Sequence, residues 1–380
     1  MRGILKVFIG GLFILQCNTI FAQYSTINVV TSAVPFLRIS PDARAGGMGD
    51  LGVATAPDAN AQFYNVAKYP FAKNTSGIGL TYTPWLKDLG LNDVFLTSVA
   101  GYKQLDETQA ISGSLRYFNL GNIEFTDNLG NSLGTGRPRE LGLDFAYSRK
   151  LSDQLSLGVA LRYINSSLAN AQIGGVSYKP GNAVSGDIGL YYVANAEDGV
   201  GLSAGLAMSN LGSKISYTSD ATQKDFIPAN LTMGVMYTIL SNEVNRLSFG
   251  MDVHKLMVPT PPLLGDSAGM VNYRTKGVVG SWFSSFGDAP GGFSEELKEY
   301  ALSLGGEFIY NEQFSVRAGY FYENKNKGNR QYFSMGAGFK YNNLNVNLSY
   351  LIPSGSGVNR NPLSNTIRFS LLFDLGPLEQ

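Results

Sequence analysis

Between residues 77 and 375 the chain repeats one pattern fourteen times: a segment of about 9 to 12 residues in which apolar side chains alternate with small or polar ones, followed by a turn-rich stretch. The segments are 77–85, 93–102, 109–120, 140–151, 155–168, 184–194, 200–211, 229–240, 246–256, 300–311, 314–324, 331–342, 344–352 and 366–375. A two-residue period places successive side chains on opposite faces of a strand. Leu155, Leu157, Val159, Leu161 and Tyr163 therefore share one face, opposite Ser156, Gly158, Ala160 and Arg162. The last segment likewise sets Ile367, Phe369, Leu371 and Phe373 against Arg368, Ser370 and Asp374. The expected class is all-β.

A soluble sandwich also alternates, with its apolar face turned inward, so periodicity alone leaves two architectures open. Loop length separates them. Gaps after odd-numbered segments are mostly long, as at 121–139, 169–183, 212–228, 258–299 and 353–365, and gaps after even-numbered ones are mostly short, as at 150–154, 195–199, 312–313 and 342–343. A transmembrane barrel has tight periplasmic turns at one rim and long loops at the other. Energetics then orient the faces. With the apolar rows turned inward, Arg116, Arg162, Arg317 and Arg368 would face lipid, at about 2 to 4 kcal/mol each near the midplane. Their sum, on the order of 10 kcal/mol, rivals a protein's net stability. The apolar rows must face lipid, and the arginines look inward with Asp144, Asp187 and Asp252. An open sheet edge cannot be left in hydrocarbon, so the expectation is a closed transmembrane antiparallel β-barrel of 14 strands, an even number as in bacterial single-chain barrels. Tyr82, Tyr117, Tyr147, Tyr163, Tyr322, Tyr341 and Tyr350 lie at or near segment ends, where aromatic girdles sit.

The first 22 residues read as a signal peptide: Arg2 and Lys6, an apolar run from Val7 to Leu15, then a polar stretch ending at Ala22. The run is too short to span a bilayer, and Gln16 before Cys17 is too bulky for a lipidation site. Cys17 is the single cysteine, so a chain cut after Ala22 has neither a disulfide nor a thiolate metal site. The cut also removes two of 29 positive charges, leaving 27 against 29 negative ones. That balance lacks the basic excess of a nucleic-acid binder.

Residues 23–76 differ from the rest, with small side chains and no long alternating strand. The glycine-rich stretch from Pro41 to Asp50 has no Walker lysine and serine after it, so a phosphate cradle is not indicated. A plug, or hatch, inside the barrel formed by 77–380 accounts for it better, since a wide barrel needs filling. The run Ala43-Arg44-Ala45-Gly46-Gly47-Met48-Gly49, followed by Asn65-Val66-Ala67, resembles the hatch of the FadL-like long-chain fatty-acid transporter barrels, whose members have 14 strands and an Asn-Pro-Ala turn. Val66 stands in the place of that proline. The whole chain, and most specifically the stretch from Ser285 to Tyr300, resembles the PorV family, FadL-like outer-membrane components of the type IX secretion system of Bacteroidetes. The resemblance implies an outer-membrane location. It also implies partners: the large translocon barrel, the C-terminal signal domains of secreted cargo, the sortase-like surface attachment complex, and the lipid or LPS of the outer membrane.

The longest loop, 258–299, opens on Pro259-Thr260-Pro261-Pro262, and Ser294 is expected to cap a short helix begun by Glu295 and Glu296. Parity puts this loop outside the cell. Trp282, Phe283, Phe286 and Phe293 would be costly exposed surface there, so they pack on the rim or on a partner. With Asp288, Pro290, Gly291, Gly292, Glu295 and Glu296 they are the candidate partner-binding residues. Catalysis finds little footing. The one histidine, His254, sits on the inward row of its strand, with no second histidine for a metal site and no nucleophile elbow nearby. A lumen hydrogen bond is the expected role. No cofactor is indicated. Uptake of small hydrophobic molecules, and more remotely hydrolysis of LPS or another lipid, are the alternatives to a secretion role.

Overall fold

The computed structural model describes residues 29–377 apart from 128, 170–171, 174–175, 196–198, 221–223, 263–264, 353–362 and 364. The signal-peptide expectation therefore lies outside the described residues. Fourteen strands close into one antiparallel barrel: β1 (Asn74–Pro84), β2 (Val94–Gln104), β3 (Gln109–Leu120), β4 (Arg139–Lys150), β5 (Leu155–Ser167), β6 (Gly181–Asn195) and β7 (Gly201–Gly212), then β8 (Asn230–Ser241), β9 (Asn245–Leu256), β10 (Tyr300–Tyr310), β11 (Phe314–Tyr322), β12 (Gln331–Tyr341), β13 (Leu344–Ile352) and β14 (Ile367–Pro377). Each strand pairs with its sequence neighbours, and β1 closes the ring against β14 with Leu80 opposite Leu371.

The alternation is inside out relative to a soluble sheet. Along β1, Gly77, Gly79, Thr81 and Thr83 are buried while Ile78, Leu80 and Tyr82 are exposed. Leu157, Val159, Leu161 and Tyr163 are exposed on β5, with Ser156, Arg162 and Ile164 buried behind them. The apolar rows thus form the outer wall and the charged rows the lumen. No helix among the described residues is long and apolar enough to cross a membrane. Parity of the loops is complete: those after even-numbered strands are tight, and those after odd-numbered strands run up to the excursion 257–299. Several long loops carry structure that alternation did not disclose. A hairpin pairs Ile123–Thr126 with Ser132–Gly136 after β3, and the loop after β9 holds helices Ser267–Thr275, Val278–Ser284 and Phe293–Glu296.

Residues 29–73 run down the inside of the barrel. They begin at the long-loop rim, where Val34, Phe36 and Leu37 pack against Val94, Leu96 and Phe118, and end at the short-turn rim, where Tyr69 stacks on Tyr102 at 4.8 Å. The path contains only short turns: Pro35–Arg38, Ala43–Gly46, Ala59–Phe63 and Val66–Phe71. Asp42, Asp58 and Asn65 each cap one of them by accepting backbone N–H bonds.

Candidate functional site

The lumen is held by ion pairs that join hatch to wall. Arg44 grips Glu307 of β10 with two bonds of 3.0 and 2.8 Å and reaches Asp58 at 2.9 Å, while Arg317 of β11 donates to the same Glu307 at 2.7 Å. Burial opposes the charge on Arg44, yet Glu307 and Asp58 outweigh it and hold the guanidinium well above its ordinary value. Asp50 pairs with Arg368 of β14 and accepts from Tyr332 at 2.5 Å. On β9, Asp252 accepts from the backbone N–H groups of Gly52 and Val53 at 2.8 and 3.0 Å. Lys68 donates to the carbonyl of Gly52 at 2.8 Å, and burial brings its ammonium down to about 8.

Arg162 forms a second node. It pairs with Asp144 and, at 2.9 Å, with Asp187, and also donates to Asn210. Arg116 lies 4.7 Å from the ring of Phe63 and donates to the carbonyl of Leu37 at 3.1 Å. The seven inward charges expected from the sequence, Arg116, Asp144, Arg162, Asp187, Asp252, Arg317 and Arg368, all lie on the lumen side of the wall. Their hatch partners Arg44, Asp50 and Lys68, and Glu307 on the wall, went unread. Glu307 had a signal, since it is a charge on the inward row of an alternating strand; the hatch residues had none, because no period fixes their facing.

Asn65 donates to the carbonyl oxygens of Leu190 and Val53 at 2.8 and 3.2 Å and accepts from Ala67 at 3.1 Å. The turn Asn65-Val66-Ala67 is thus seated on β6 by side-chain bonds without a proline. Where hatch backbone meets wall, the wall carries glycine: a Cβ on Gly305 would lie 2.5 Å from the carbonyl oxygen of Met48, and one on Gly319 would strike the backbone of Met48 and Gly49. His254 lies between two hydroxyls, Thr232 at 3.2 Å and Ser303 at 3.1 Å, with no carboxylate bonded to the imidazole. This is the geometry of a lumen hydrogen bond. A chamber of about 120 Å³ remains between hatch and wall, bordered by Arg38, Tyr64, His254, Phe321 and Arg330. No metal-ligating cluster occurs among the described residues.

The long loop after β9 is latched to the rim by charge. Lys255 belongs to the outward row of β9 but is buried, 2.7 Å from Glu296 and 2.5 Å from Glu299. Lys327, from the loop after β11, binds Glu295 at 2.6 Å and Glu299 at 2.9 Å. Of the candidate residues, Glu295 and Glu296 serve this latch, and Asp288 accepts from Thr260 at 3.0 Å. Phe283, Phe286 and Phe293 are exposed, the last at 77%, with Trp282 half-buried beside them. Pro290, Gly291 and Gly292 form the exposed turn before the last helix. Ser294 does not cap that helix. The helix starts two residues earlier than expected, at Phe293, and is preceded by Gly292 at φ 70°, a left-handed value that suits glycine, so the chain turns there without a side-chain cap.

A family model for the type IX secretion system protein PorV matches residues 22–263. Among solved structures, the chain is similar to the deltaS2S3 mutant of the monoaromatic hydrocarbon channel TodX, at 13% identity over 88% of this chain and 98% of that one with a TM-score of 0.52. It is similar to the toluene transporter TbuX of Ralstonia pickettii, at 12% identity over 89% and 98% with a TM-score of 0.52. The toluene transporter TodX of P. putida follows at 12% over 87% and 98%, TM-score 0.50. These structural likenesses are of fold. The search of the curated proteins gave no match.

Proposed function

The chain belongs to the PorV family of type IX secretion system proteins, and from that premise we propose that it binds the large translocon barrel and carries secreted cargo, held by its C-terminal signal domain, to the sortase-like surface attachment complex. The observation that supports this reading best is the contrast between a lumen filled by a tethered hatch and an outer loop that turns Phe283, Phe286 and Phe293 to the outside. A barrel built this way acts through its outer surface. The loop residues from Trp282 to Glu296 are the proposed contact with the translocon, and LPS or other lipid surrounds the wall.

Extraction in mild detergent tests it. A giant barrel and secreted proteins are expected to remain attached to the wild-type chain, and deletion of 286–293 is expected to abolish that capture while the barrel stays folded. Capture that survives the deletion removes the loop from the interface.

The toluene transporters share this fold, which favours uptake of small hydrophobic molecules as a second reading. Against it, the chamber of about 120 Å³ is small beside the roughly 300 to 1,000 Å³ of ordinary small-molecule pockets, and Arg38, Asp50, Asp252 and Arg330 place charges on its border. Lipid recovered from the lumen of the purified chain would favour uptake. Lipid hydrolysis is weaker still, because His254 has hydroxyls on both sides and no carboxylate orienting it. Ester cleavage lost on His254→Ala would revive it.

A further inference from the structure

Strand register divides the lipid-facing wall of β3 to β6 into levels. Leu115, Leu143, Tyr163 and Val184 lie side by side and are exposed. One two-residue step toward the long-loop rim, about 7 Å along each strand, brings Tyr117, Leu141, Asn165 and Asn182. The next step brings Asn119, Arg139 and Ser167. Arg137 stands beyond them on the same side, because Pro138 and Glu140, which alternate with the two arginines, are buried. The sector therefore passes from hydrocarbon to amide and hydroxyl groups and then to positive charge. Outward positions elsewhere near this rim are mostly apolar or aromatic, as at Tyr82, Tyr322, Phe333 and Ile367.

Two cations stand in outward rows at the long-loop end of the described strands, and their surroundings differ. Lys255 is covered by Glu296 and Glu299. Arg139 is exposed, and no carboxylate among the described residues pairs with it. Arg137 donates through Nε to Asn122 at 2.9 Å and likewise has no acid partner among them. Of the acids in this sector, Asp93 accepts from the N–H and the side-chain amide of Asn122 at 2.8 and 2.9 Å, and Glu124 is carried by the hairpin after β3. Asn182 accepts from Tyr163 and Asn165 at 2.7 and 2.8 Å, which leaves its own amide N–H groups with no partner among the described residues. A guanidinium without a counter-ion at the headgroup level of a membrane is matched by lipid phosphate, to which arginine donates paired, charge-assisted hydrogen bonds.

We propose that the outer ends of β3 to β6 bind a phosphorylated glycolipid of the outer leaflet. Arg137 and Arg139 take its phosphate, Asn119, Ser167 and Asn182 meet its sugar, and its acyl chains run down over Leu115, Leu143 and Val184. One amphiphile thus satisfies all the levels in their order, which neither a free anion nor an apolar ligand does. The site deepens the lipid contact named above, and it rests on the outer-membrane reading for the leaflet that this rim faces.

The test uses the full-length barrel in neutral maltoside micelles, with purified lipid A and the same lipid freed of its phosphates as probes. Lipid retained on the folded barrel is counted by native mass spectrometry across a titration. Arg137→Gln with Arg139→Gln is expected to weaken retention of lipid A about tenfold or more, while the barrel stays heat-modifiable. Arg149→Gln, which removes an exposed outward cation at the opposite rim, is expected to leave retention unchanged. The phosphate-free lipid is expected to bind wild type and double variant alike, at the weaker level. Equal retention of lipid A by wild type and double variant overturns the site, as does an equal loss in Arg149→Gln, which would mean unspecific attraction. Phosphate-free lipid held as tightly as lipid A overturns the phosphate assignment, and displacement of lipid A by inorganic phosphate at millimolar concentration overturns the lipid as the occupant. Membrane fractionation of cells tests the underlying reading separately. Recovery of the chain outside the outer-membrane fraction overturns the leaflet, whereas recovery within it, with no difference between the variants, overturns the site alone.

Discussion

Arg368 is almost wholly buried, and Asp50 is what makes its charge tolerable. Removing one member of a buried pair strands the other, at about 3 to 5 kcal/mol, whereas replacing both by apolar groups is often neutral. Arg368→Ala is therefore expected to lower stability by that amount, read as a shift in the guanidinium midpoint at which the barrel loses its heat-modifiable gel mobility. Arg368→Met with Asp50→Leu is expected to recover most of it; an unshifted midpoint in the single variant means that the pair does not fasten the hatch. Gly319→Val tests the contact from the other side. Its side chain would collide with the backbone of Met48 and Gly49, so the barrel is expected to close with the hatch displaced, detected as proteolysis between residues 40 and 60. The sequence told which side of the wall Arg368 occupies, because hydrocarbon forbids the other. It could not tell that Asp50 would meet it, since 318 residues and no shared period separate the two.

The loop between β9 and β10 depends on charge at its latch. Burial works against ionisation of Glu295, but Lys327 and the N–H of Gly291 prevail and hold its carboxyl below the ordinary 4.5. A depressed carboxyl stabilises docking fully above its unfolded value and loses that contribution as pH falls through the folded one. Lys327 is shifted upward: burial opposes this, and Glu295 and Glu299 overcome it, so its contribution is complete at neutral pH and fades only in strong alkali. Protection against amide exchange across 286–299, taken relative to the intrinsic rate at each pH, is expected to be high at neutral pH, to fall as the pH drops below the ordinary carboxyl value of 4.5 and Glu295 takes up its proton, and to be low already at neutral pH in Lys327→Met. Indifference of exchange to both would remove the latch. Strands were legible because lipid on one side and water on the other enforce a two-residue period for some ten residues at a time. Helix Ser267–Thr275 and the hairpin 123–136 were not, since short loop elements are set by contacts such as Lys214 donating to the carbonyls of Arg274 and Lys276, which local pattern does not encode. Ser294 illustrates the limit: its position suited a cap, and Gly292 two residues earlier decided the turn.

As a whole, the molecule is a cylinder with its bore stopped. Purified into planar bilayers it is expected to show no steady conductance, and deletion of 29–73 is expected to open a conducting pore in a barrel that remains heat-modifiable; current through the intact chain would mean that the hatch does not seal. The route of residues 29–73, inside the ring and entering β1 from within, also dictates a sequence of events in biogenesis. The seam between β1 and β14 joins the first strand to the last. Once that joint is made, the leading stretch could take its place only by being pushed through a finished tube past Arg317 and Arg368. Insertion machinery must therefore wrap later strands around an occupant already in position, as staves are drawn up around a core. A chain halted before β14 is expected to hold its leading stretch half enclosed and open to proteases, with the final hairpin needed to shut it in.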